Sequence, residues 1–268
     1  MDLGLHNKTA IVTGGGGAIC GEVAGGLAKE GAKVAIWDLS LERAKATVAD
    51  LGDADAVAVS CDVTDRGVVK RALDRTIDAF GSIDLLVNGA GGSRRETTTA
   101  EDLSFFDIES EAMRDVIALN YMSAVVVSQE VGRLFAQTER GAIVNIASIA
   151  GLTPLTRALS YSDGKAAVVS FTRWLAVHMA QEFSVRIRVN AVAPGFILTD
   201  QNRFLLIDEE TGAPTERGER IIDHVPQNRL GNPCEVTGAV LWLLSETSSF
   251  VTGAVVPVDG GYSAYSGV

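Results

Sequence analysis

Short apolar runs along the chain alternate with longer segments in which apolar positions recur at helical spacing. The apolar runs are rich in β-branched residues, and several are nearly continuous. Such runs are typical of parallel strands that are covered by helices on both faces. Seven strands are predicted in this way, at 9–13, 33–38, 56–60, 83–88, 142–147, 186–192 and 254–258.

The segments between the strands predict helices at 22–30, 41–51, 66–80, 111–137, 159–182 and 233–245. Because strands and helices alternate, the pattern predicts an α/β fold with an open twisted sheet between two helical layers. The chain shows no repeat and no low-complexity linker, so we expect a single domain over residues 1–268. One long polar interruption lies at about 195–217, and loops of this length commonly form lids or binding loops.

The charge balance restricts the partners. Lys and Arg total 23 against 34 Asp and Glu, which gives a formal net charge of −11. This charge argues against nucleic acid or an anionic membrane and favours a small-molecule substrate. We see no leader and no apolar run long enough to span a bilayer, so we expect a cytoplasmic protein. The cysteines are widely spaced and are expected to be reduced thiols, with no metal site.

The main candidate chemistry lies in the helix predicted at 159–182. Tyr161 and Lys165 are four residues apart and so share a helix face, and Ser148 directly follows the strand at 142–147. A lysine ammonium beside a phenol favours the phenolate. Lowering a tyrosine pKa of ~10 by about 3 units requires roughly 4 kcal/mol, which one cation at ~4 Å supplies at an effective dielectric of ~20. The arrangement predicts Tyr161 as an acid/base, with Ser148 bonding the oxygen that Tyr161 protonates.

A run of four glycines, Gly14 to Gly17, lies between the first strand and the next helix. This position is typical of a pyrophosphate site at a helix N-terminus, although a flexible surface turn is the alternative. Asp38 ends the second strand, where its carboxylate can accept both ribose hydroxyls of an adenosine. A ribose phosphate would meet that charge, so NAD is predicted, with Arg43 as the one nearby cation. The alternative role for Asp38 is a helix cap.

Taken in chain order, these motifs resemble the short-chain dehydrogenase/reductase family over essentially the whole sequence. The resemblance rests on Thr13-Gly14 with Ala18, Asn88-Gly89-Ala90-Gly91, Asn120, Ser148, Tyr161, Lys165 and Pro194-Gly195. It implies a Rossmann-like, doubly wound parallel sheet of seven strands in the order 3-2-1-4-5-6-7. It also implies hydride transfer with NAD and assembly as a homotetramer.

The resemblance further implies roles for single residues. Tyr161 would be the general acid/base and Ser148 would polarise the substrate oxygen. Lys165 would hold the nicotinamide ribose and lower the pKa of Tyr161, and Asn120 would hold a water in a proton relay. The other expected cofactor contacts are Gly14, Gly16, Gly17, Ala18, Ile19, Asp38, Leu39, Asp62, Val63, Asn88, Gly89, Ala90, Pro194, Gly195, Ile197 and Thr199.

Two positions depart from the family pattern. Cys20 stands where the family has its third loop glycine, so we expect the helix to begin differently or to lie farther from the sheet. Asp163-Gly164 stands between Tyr161 and Lys165. If Asp163 paired with Lys165 it would weaken the activation of Tyr161, although residues two apart on a helix face different directions.

The long loop and the C-terminal residues resemble the D-mannonate oxidoreductase (fructuronate reductase) type within the family, which implies a sugar-acid substrate. A carboxylate needs a cation and hydroxyls need polar partners. The candidates are Arg157, Gln201, Arg203 and Arg94. Two alternatives stay open: a reductase for another polyol, a gluconate-type or a 3-ketoacyl substrate, and an NAD-binding sensor without turnover.

Overall fold

The structure is a computed structural model that describes residues 2–200 and 202–267. Seven strands form one parallel sheet in the order β3-β2-β1-β4-β5-β6-β7. The predicted fold class and strand order are therefore confirmed. The strands are β1 Thr9–Thr13, β2 Lys33–Asp38, β3 Ala56–Ser60, β4 Leu85–Asn88, β5 Gly141–Ile146, β6 Ile187–Pro194 and β7 Val255–Val258.

Helices cover both faces of this sheet. They are α1 Ala18–Lys29, α2 Leu41–Asp50, α3 Arg66–Phe80, α4 Ser110–Ile117, α5 Ser123–Thr138, α6 Leu159–Glu182, α7 Arg203–Leu206, α8 Glu216–His224 and α9 Cys234–Leu244. Successive side chains of a strand point to opposite faces. Val12 and Ile36 accordingly pack in one core with α1 and α9. Ile11 and Trp37 pack in the other core with α3, α5 and α6.

Three elements differ from the sequence prediction by more than two residues at an end or in kind. Helix α1 begins at Ala18, whereas the predicted helix begins at 22, because small residues in the first turn gave no apolar periodicity. The single helix predicted at 111–137 is divided into α4 and α5 by a π-helical turn, Ala118–Met122. The predicted loop at 195–217 contains α7 and the first turn of α8, which Thr215 caps by accepting a bond from the Gly218 N–H.

The carboxyl ends of the strands lie level with one another. Thr13 of β1 pairs with Asn88 of β4, which in turn pairs with Asn145 of β5. The chain order reverses between β1 and β4, since β1 is followed on one side by β2 and on the other by β4. Ligands of open parallel sheets bind at such a reversal, beside the carboxyl ends of the strands.

A buried arginine joins β6 to the end of α9. Arg188 is 6 % exposed and donates from Nη1 to the Leu243 carbonyl at 2.7 Å and the Ser248 hydroxyl at 2.9 Å. Its Nη2 donates to the carbonyls of Leu244 at 3.2 Å and Ser245 at 2.9 Å. The last carbonyls of a helix have no hydrogen-bond donors within the helix. At the end of α9, Arg188 provides these donors.

The described residues lack a membrane-spanning helix and a metal-binding cluster. Across 2–200 and 202–267, no helix combines the length and apolar character that a membrane crossing requires. Over the same residues, no cluster of three or more His, Cys, Asp or Glu side chains is arranged to hold a metal ion.

Candidate active site

The loop between β1 and α1 makes a tight turn against the loop that follows β4. Gly14 has φ +63°, and a Cβ added there would lie 2.9 Å from the Cα of Ala90. The turn closes with the Gly17 N–H donating to the Gly14 carbonyl at 3.0 Å. Gly17 has no side chain to cap α1, and the next residue, Ala18, is exposed. The backbone N–H groups of this helix end can therefore meet an anion.

Asp38 lies beside this loop and is 5 % exposed. Its Oδ2 accepts the Gly16 N–H at 3.1 Å, and its Oδ1 accepts the Ser40 N–H and the Arg43 guanidinium, both at 2.9 Å. Ser40, and not Asp38, caps α2 by accepting the Arg43 N–H at 3.3 Å. The cap alternative for Asp38 is therefore wrong. The carboxylate instead joins the glycine loop to Arg43.

The loop after β4 is held by its backbone. The Thr13 hydroxyl accepts the N–H groups of Gly89 at 3.0 Å and Ala90 at 3.3 Å. The Asn88 side chain does not take part, because its amide donates to Ser128 and Asn145, both at 2.9 Å, inside the protein. The cofactor contact predicted for Asn88 would therefore have to come from its backbone.

A chain of buried amides and hydroxyls connects the strands to the catalytic helix. From Asn88 it continues through Asn145, whose Nδ2 donates to the Thr172 hydroxyl on α6 at 2.8 Å. Hydrogen bonds between buried side chains hold together the elements that they join. Here they hold α6 against the end of β5. Sequence reasoning missed Asn145 and Thr172, although a polar residue within an apolar strand was a usable signal.

Ser148, Tyr161 and Lys165 are brought together at the end of β5. Ser148 is buried, and its Oγ accepts the Ala150 N–H at 3.1 Å. Tyr161 is half-buried on the first turn of α6. Lys165 is 4 % exposed, donates from Nζ to the Ile146 carbonyl at 2.8 Å, and lies 5.8 Å from the centre of the Tyr161 ring. The lysine charge thus faces the site and not the solvent.

The ionisation of Tyr161 differs from the sequence expectation. Burial is the largest influence and raises the pKa of Tyr161, while a hydrogen bond with Ser148 lowers it by less. Burial also lowers the pKa of Lys165 to about 8, and the nearby Cys20 opposes this shift. Desolvation is therefore the dominant influence on both groups. The phenol is held in its protonated form, which is the form that can donate a proton.

Asn120 lies in the π-helical turn and is 1 % exposed. Its Nδ2 donates to the carbonyls of Gly92 at 2.7 Å and Val116 at 2.8 Å, and its Oδ1 accepts the Gly92 N–H at 3.0 Å. A Cβ at Gly164 would lie 2.9 Å from the Cβ of Asn120, so the glycine allows α6 to approach. Asn120 thereby joins the turn to the loop after β4. Its role in holding a water stays a prediction.

The two departures from the family pattern are both accommodated. Cys20 is buried in the same core as Val12 and Val87, so it packs between α1 and the sheet instead of pushing them apart. Burial raises the pKa of its thiol to about 12. Asp163 is exposed while Lys165 is buried, so the two side chains do not form the ion pair that would weaken the activation of Tyr161.

The predicted adenine contacts differ in accessibility. The Leu39 side chain is 70 % exposed and Val63 is buried. Asp62 is exposed, and its Oδ1 accepts the N–H of Thr64 at 2.9 Å and its hydroxyl at 2.6 Å. Ile19 is half-buried at the start of α1. Their contacts with a cofactor stay predictions.

The segment after β6 is held by an asparagine that sequence reasoning missed. Pro194 pairs with Val258 of β7, and the Gly195 N–H donates to the carbonyl of that valine at 2.9 Å. Asn202 then accepts the Thr199 N–H and donates to the Ile197 carbonyl, both at 2.8 Å. The Thr199 N–H is thus already used, which leaves its hydroxyl for a ligand.

The candidate arginines differ in exposure and in whether they form an ion pair. Arg157 and Arg203 are exposed, whereas Arg94 forms an ion pair with Asp115 at 3.3 Å. Gln201 lies outside the described residues. Arg217, on the first turn of α8, was missed because nothing in the sequence separates it from the other arginines of this region. It lies close enough to Arg157 for the two charges to repel.

Comparisons with known proteins agree with this geometry. A family model described as enoyl-(acyl carrier protein) reductase matches residues 16–263. An uncharacterized oxidoreductase, UxuB, of Bacillus subtilis (strain 168) is 42 % identical and covers 98 % of both chains. The 3-oxoacyl-[acyl-carrier-protein] reductase FabG of Chlamydia muridarum is 35 % identical over 96 % of this chain and 98 % of its own.

A similar solved structure is the crystal structure, with bound NAD, of a Haemophilus influenzae protein assigned provisionally as a D-mannonate oxidoreductase. It has a TM-score of 0.91 and 38 % identity, and the match covers 98 % of both chains. The family match and the relatives point to the same family as the fold and the grouping of the Ser148, Tyr161 and Lys165 side chains. The chain belongs to the short-chain dehydrogenase/reductase family and is an oxidoreductase of that family.

Proposed function

We propose that the protein interconverts a secondary alcohol and a ketone of a sugar acid with NAD(H), and that D-mannonate and D-fructuronate are the substrate pair. The observation that carries the reaction type is that the half-buried Tyr161 lies with the buried Ser148 and Lys165 at the carboxyl edge of the sheet. The substrate class is supported by the provisional name of the similar Haemophilus structure and by the exposed Arg157, four residues before Tyr161 in the chain.

The residues of the site fit a dinucleotide. The glycine loop offers backbone N–H groups for the pyrophosphate, Asp38 offers acceptors for the adenosine ribose, and Lys165 lies beside Tyr161 for the other ribose. When bound, the dinucleotide supplies or takes up the hydride. We assign proton donation to the substrate oxygen to Tyr161 and hydrogen bonding of that oxygen to Ser148. The protonated phenol suits ketone reduction.

Turnover of a substrate panel tests the proposal. Purified protein is mixed with NADH and D-fructuronate, a 3-ketoacyl thioester or a neutral keto-polyol, and nicotinamide absorbance is followed. We expect turnover with D-fructuronate to be at least about tenfold more efficient than with the other two, because a missing charge-assisted contact weakens binding by about 1.5–3 kcal/mol. Tight NADH binding without turnover of any substrate would instead favour the sensor alternative.

The preference for NAD is proposed to rest on Asp38. We expect Asp38→Asn to raise the ratio of NADP to NAD efficiency about 10- to 100-fold, because it removes a repelling charge and frees Arg43 to bind a ribose phosphate. Steady-state kinetics with both cofactors provide the measurement. Adding Arg43→Gln to that variant should abolish most of the gain. An unchanged ratio in Asp38→Asn would refute the role given to this carboxylate.

We also propose a homotetramer and a substrate-binding role for the insertion at 195–217. Exposed apolar side chains on and after α6 support the assembly: Trp174, Val177, Phe183 and Val185. Light scattering in solution should give the mass of four 28.2 kDa chains. The cytoplasmic location stays a prediction.

A further inference from the structure

The two helices of the insertion after β6 form a unit that is hydrogen-bonded to itself. We call residues 203–224 the α7–α8 hairpin. The two helices meet at the backbone, because a Cβ added at Gly218 would overlap the Leu206 carbonyl, which also accepts the Thr215 N–H at 3.0 Å. Within the part of the chain that the structure describes, the hydrogen bonds and ion pairs of the hairpin all join residues within 199–225.

The segment that leads into the hairpin is held by separate bonds. The Phe196 carbonyl accepts the Gly231 N–H at 3.0 Å, and the Leu198 N–H donates to the Gly231 carbonyl at 2.8 Å. Ile197, between them, is buried. Phe196 therefore lies on a fixed part of the chain, directly after β6, which is the neighbour of β5 in the sheet.

The end of the hairpin is followed by residues that contact the turn after β7. We call residues 259–265 the β7 turn. Asp259 closes it by accepting the N–H groups of Gly261 and Ser263, both at 2.9 Å. The Gly260 carbonyl of this turn accepts the Gln227 N–H at 3.2 Å. The β7 turn is thus itself ordered by hydrogen bonds and is bonded to the chain just after α8.

Tyr262 of the β7 turn lies between the fixed segment and the hairpin. Its ring centre is 5.2 Å from that of Phe196, at an interplanar angle of 68°. The same ring is 4.7 Å from that of His224, the last residue of α8, at 66°. Tyr265 adds a further ring at 5.3 Å from His224. Aromatic rings attract one another in such tilted arrangements, so Tyr262 joins the end of the hairpin to the segment after β6.

We propose that Tyr262 is a positioning residue that holds the α7–α8 hairpin in place beside the carboxyl end of β6. This inference rests on the proposed substrate-binding role of the insertion. No hydrogen bond or ion pair of the described residues ties the hairpin to the chain outside 199–225, so its placement depends on contacts at its ends. The ring contacts of Tyr262 fix one of those ends.

The effect of Tyr262 should fall on the substrate more than on the dinucleotide. Gly195, Ile197 and Thr199 are expected cofactor contacts, and their segment is held without Tyr262. The Gly195 N–H is bonded to β7, while Asn202 accepts the Thr199 N–H and donates to the Ile197 carbonyl. Loss of the Tyr262 ring therefore frees the hairpin and leaves these bonds in place.

Hydrogen exchange of the whole protein, followed by mass spectrometry, tests the anchor without any substrate. In Tyr262→Ala, the amides of 203–224 should exchange about 5- to 100-fold faster, because two ring contacts that oppose local opening are lost. The amides of α3 should be unchanged and serve as an internal reference. Tyr262→Phe keeps the ring and is the matched control, with exchange at the wild-type rate. His224→Ala removes the partner ring on the hairpin and should accelerate exchange in the same residues.

Steady-state kinetics then separate positioning from a general effect on the fold. The ketone is whichever member of the substrate panel is turned over. Tyr262→Ala should raise KM for that ketone about 3- to 10-fold, because only molecules with the hairpin in place bind it. KM for NADH should change less than about twofold on the same grounds, and Tyr262→Phe should match the wild type in both values.

Two results would overturn the inference. One is unchanged exchange of 203–224 in both Tyr262→Ala and His224→Ala. The other is faster exchange with an unchanged KM for the ketone, since the hairpin would then not serve substrate binding. Neither result bears on the proposed reaction, whose failure would appear in the turnover panel of the wild-type protein.

Discussion

Tyr161→Phe is expected to lower kcat for ketone reduction about 100- to 10,000-fold, the range that a positioned proton donor contributes. The ring stays in place, so packing on α6 and affinity for NADH should be nearly unchanged. Burial raises the pKa of the Tyr161 phenol above its usual value, so we expect the phenol to carry its proton at neutral pH. Its loss therefore removes the proton and not a charge. Single-turnover absorbance after mixing with ketone measures the step directly.

Ser160→Ala is the control for this change. It removes the adjacent hydroxyl, which is buried and has no hydrogen-bond partner among residues 2–200 and 202–267. We expect that variant to keep wild-type turnover, since no functional contact is lost. Wild-type kcat in Tyr161→Phe would overturn the acid/base assignment, whatever the behaviour of the control.

Arg188→Met is expected to reduce the free energy of unfolding by about 3 kcal/mol or more, because several buried hydrogen bonds from a charged group are lost and one such bond contributes about 1.5–3 kcal/mol. Three carbonyls at or after the end of α9 lose the bond from Arg188, which methionine cannot replace, and Ser248 still donates to two of them, those of Leu243 and Ser245. Urea unfolding followed by circular dichroism gives the difference from the midpoint, provided the slope is unchanged.

Arg186→Met provides the comparison, two residues earlier and before the strand begins. Arg186 is exposed, and its ion pair with Glu139 has an N–O distance of 3.5 Å. Exposed pairs of this kind contribute about 0–1 kcal/mol. Equal losses in the two arginine variants would show that the carbonyl contacts of Arg188 do not stabilise the protein.

The sequence predicted the sheet well because each strand is marked by a continuous run of apolar residues. β1, β2 and β3 begin and end where the apolar runs do, and α3 and α6 match their predicted bounds. The meeting of Ser148, Tyr161 and Lys165 also followed from local spacing. The NAD preference and the substrate pair stay predictions, because they depend on ligands that a run of residues does not specify.

What sequence reasoning missed depends on contacts between distant segments. Asn145 bonds to Thr172 of α6, 27 residues away in the chain, and the strand alone does not show that partner. The acidity expected for Tyr161 failed for a related reason. A Coulomb estimate from helix spacing contains the attraction of Lys165 but not the desolvation that the assembled core imposes on both groups.

Because of the π-helical turn, the geometry of residues 110–138 depends on the number of residues in the segment more than on which side chains they carry. A turn of this kind is equivalent to one extra residue in an α-helix, and each residue of such a helix advances the chain by about 100°. Deleting one residue there would swing Ser110–Ile117 round its axis relative to Ser123–Thr138 and separate Asn120 from Gly92. Insertions and deletions should therefore be rarer in this segment than exchanges of one side chain for another.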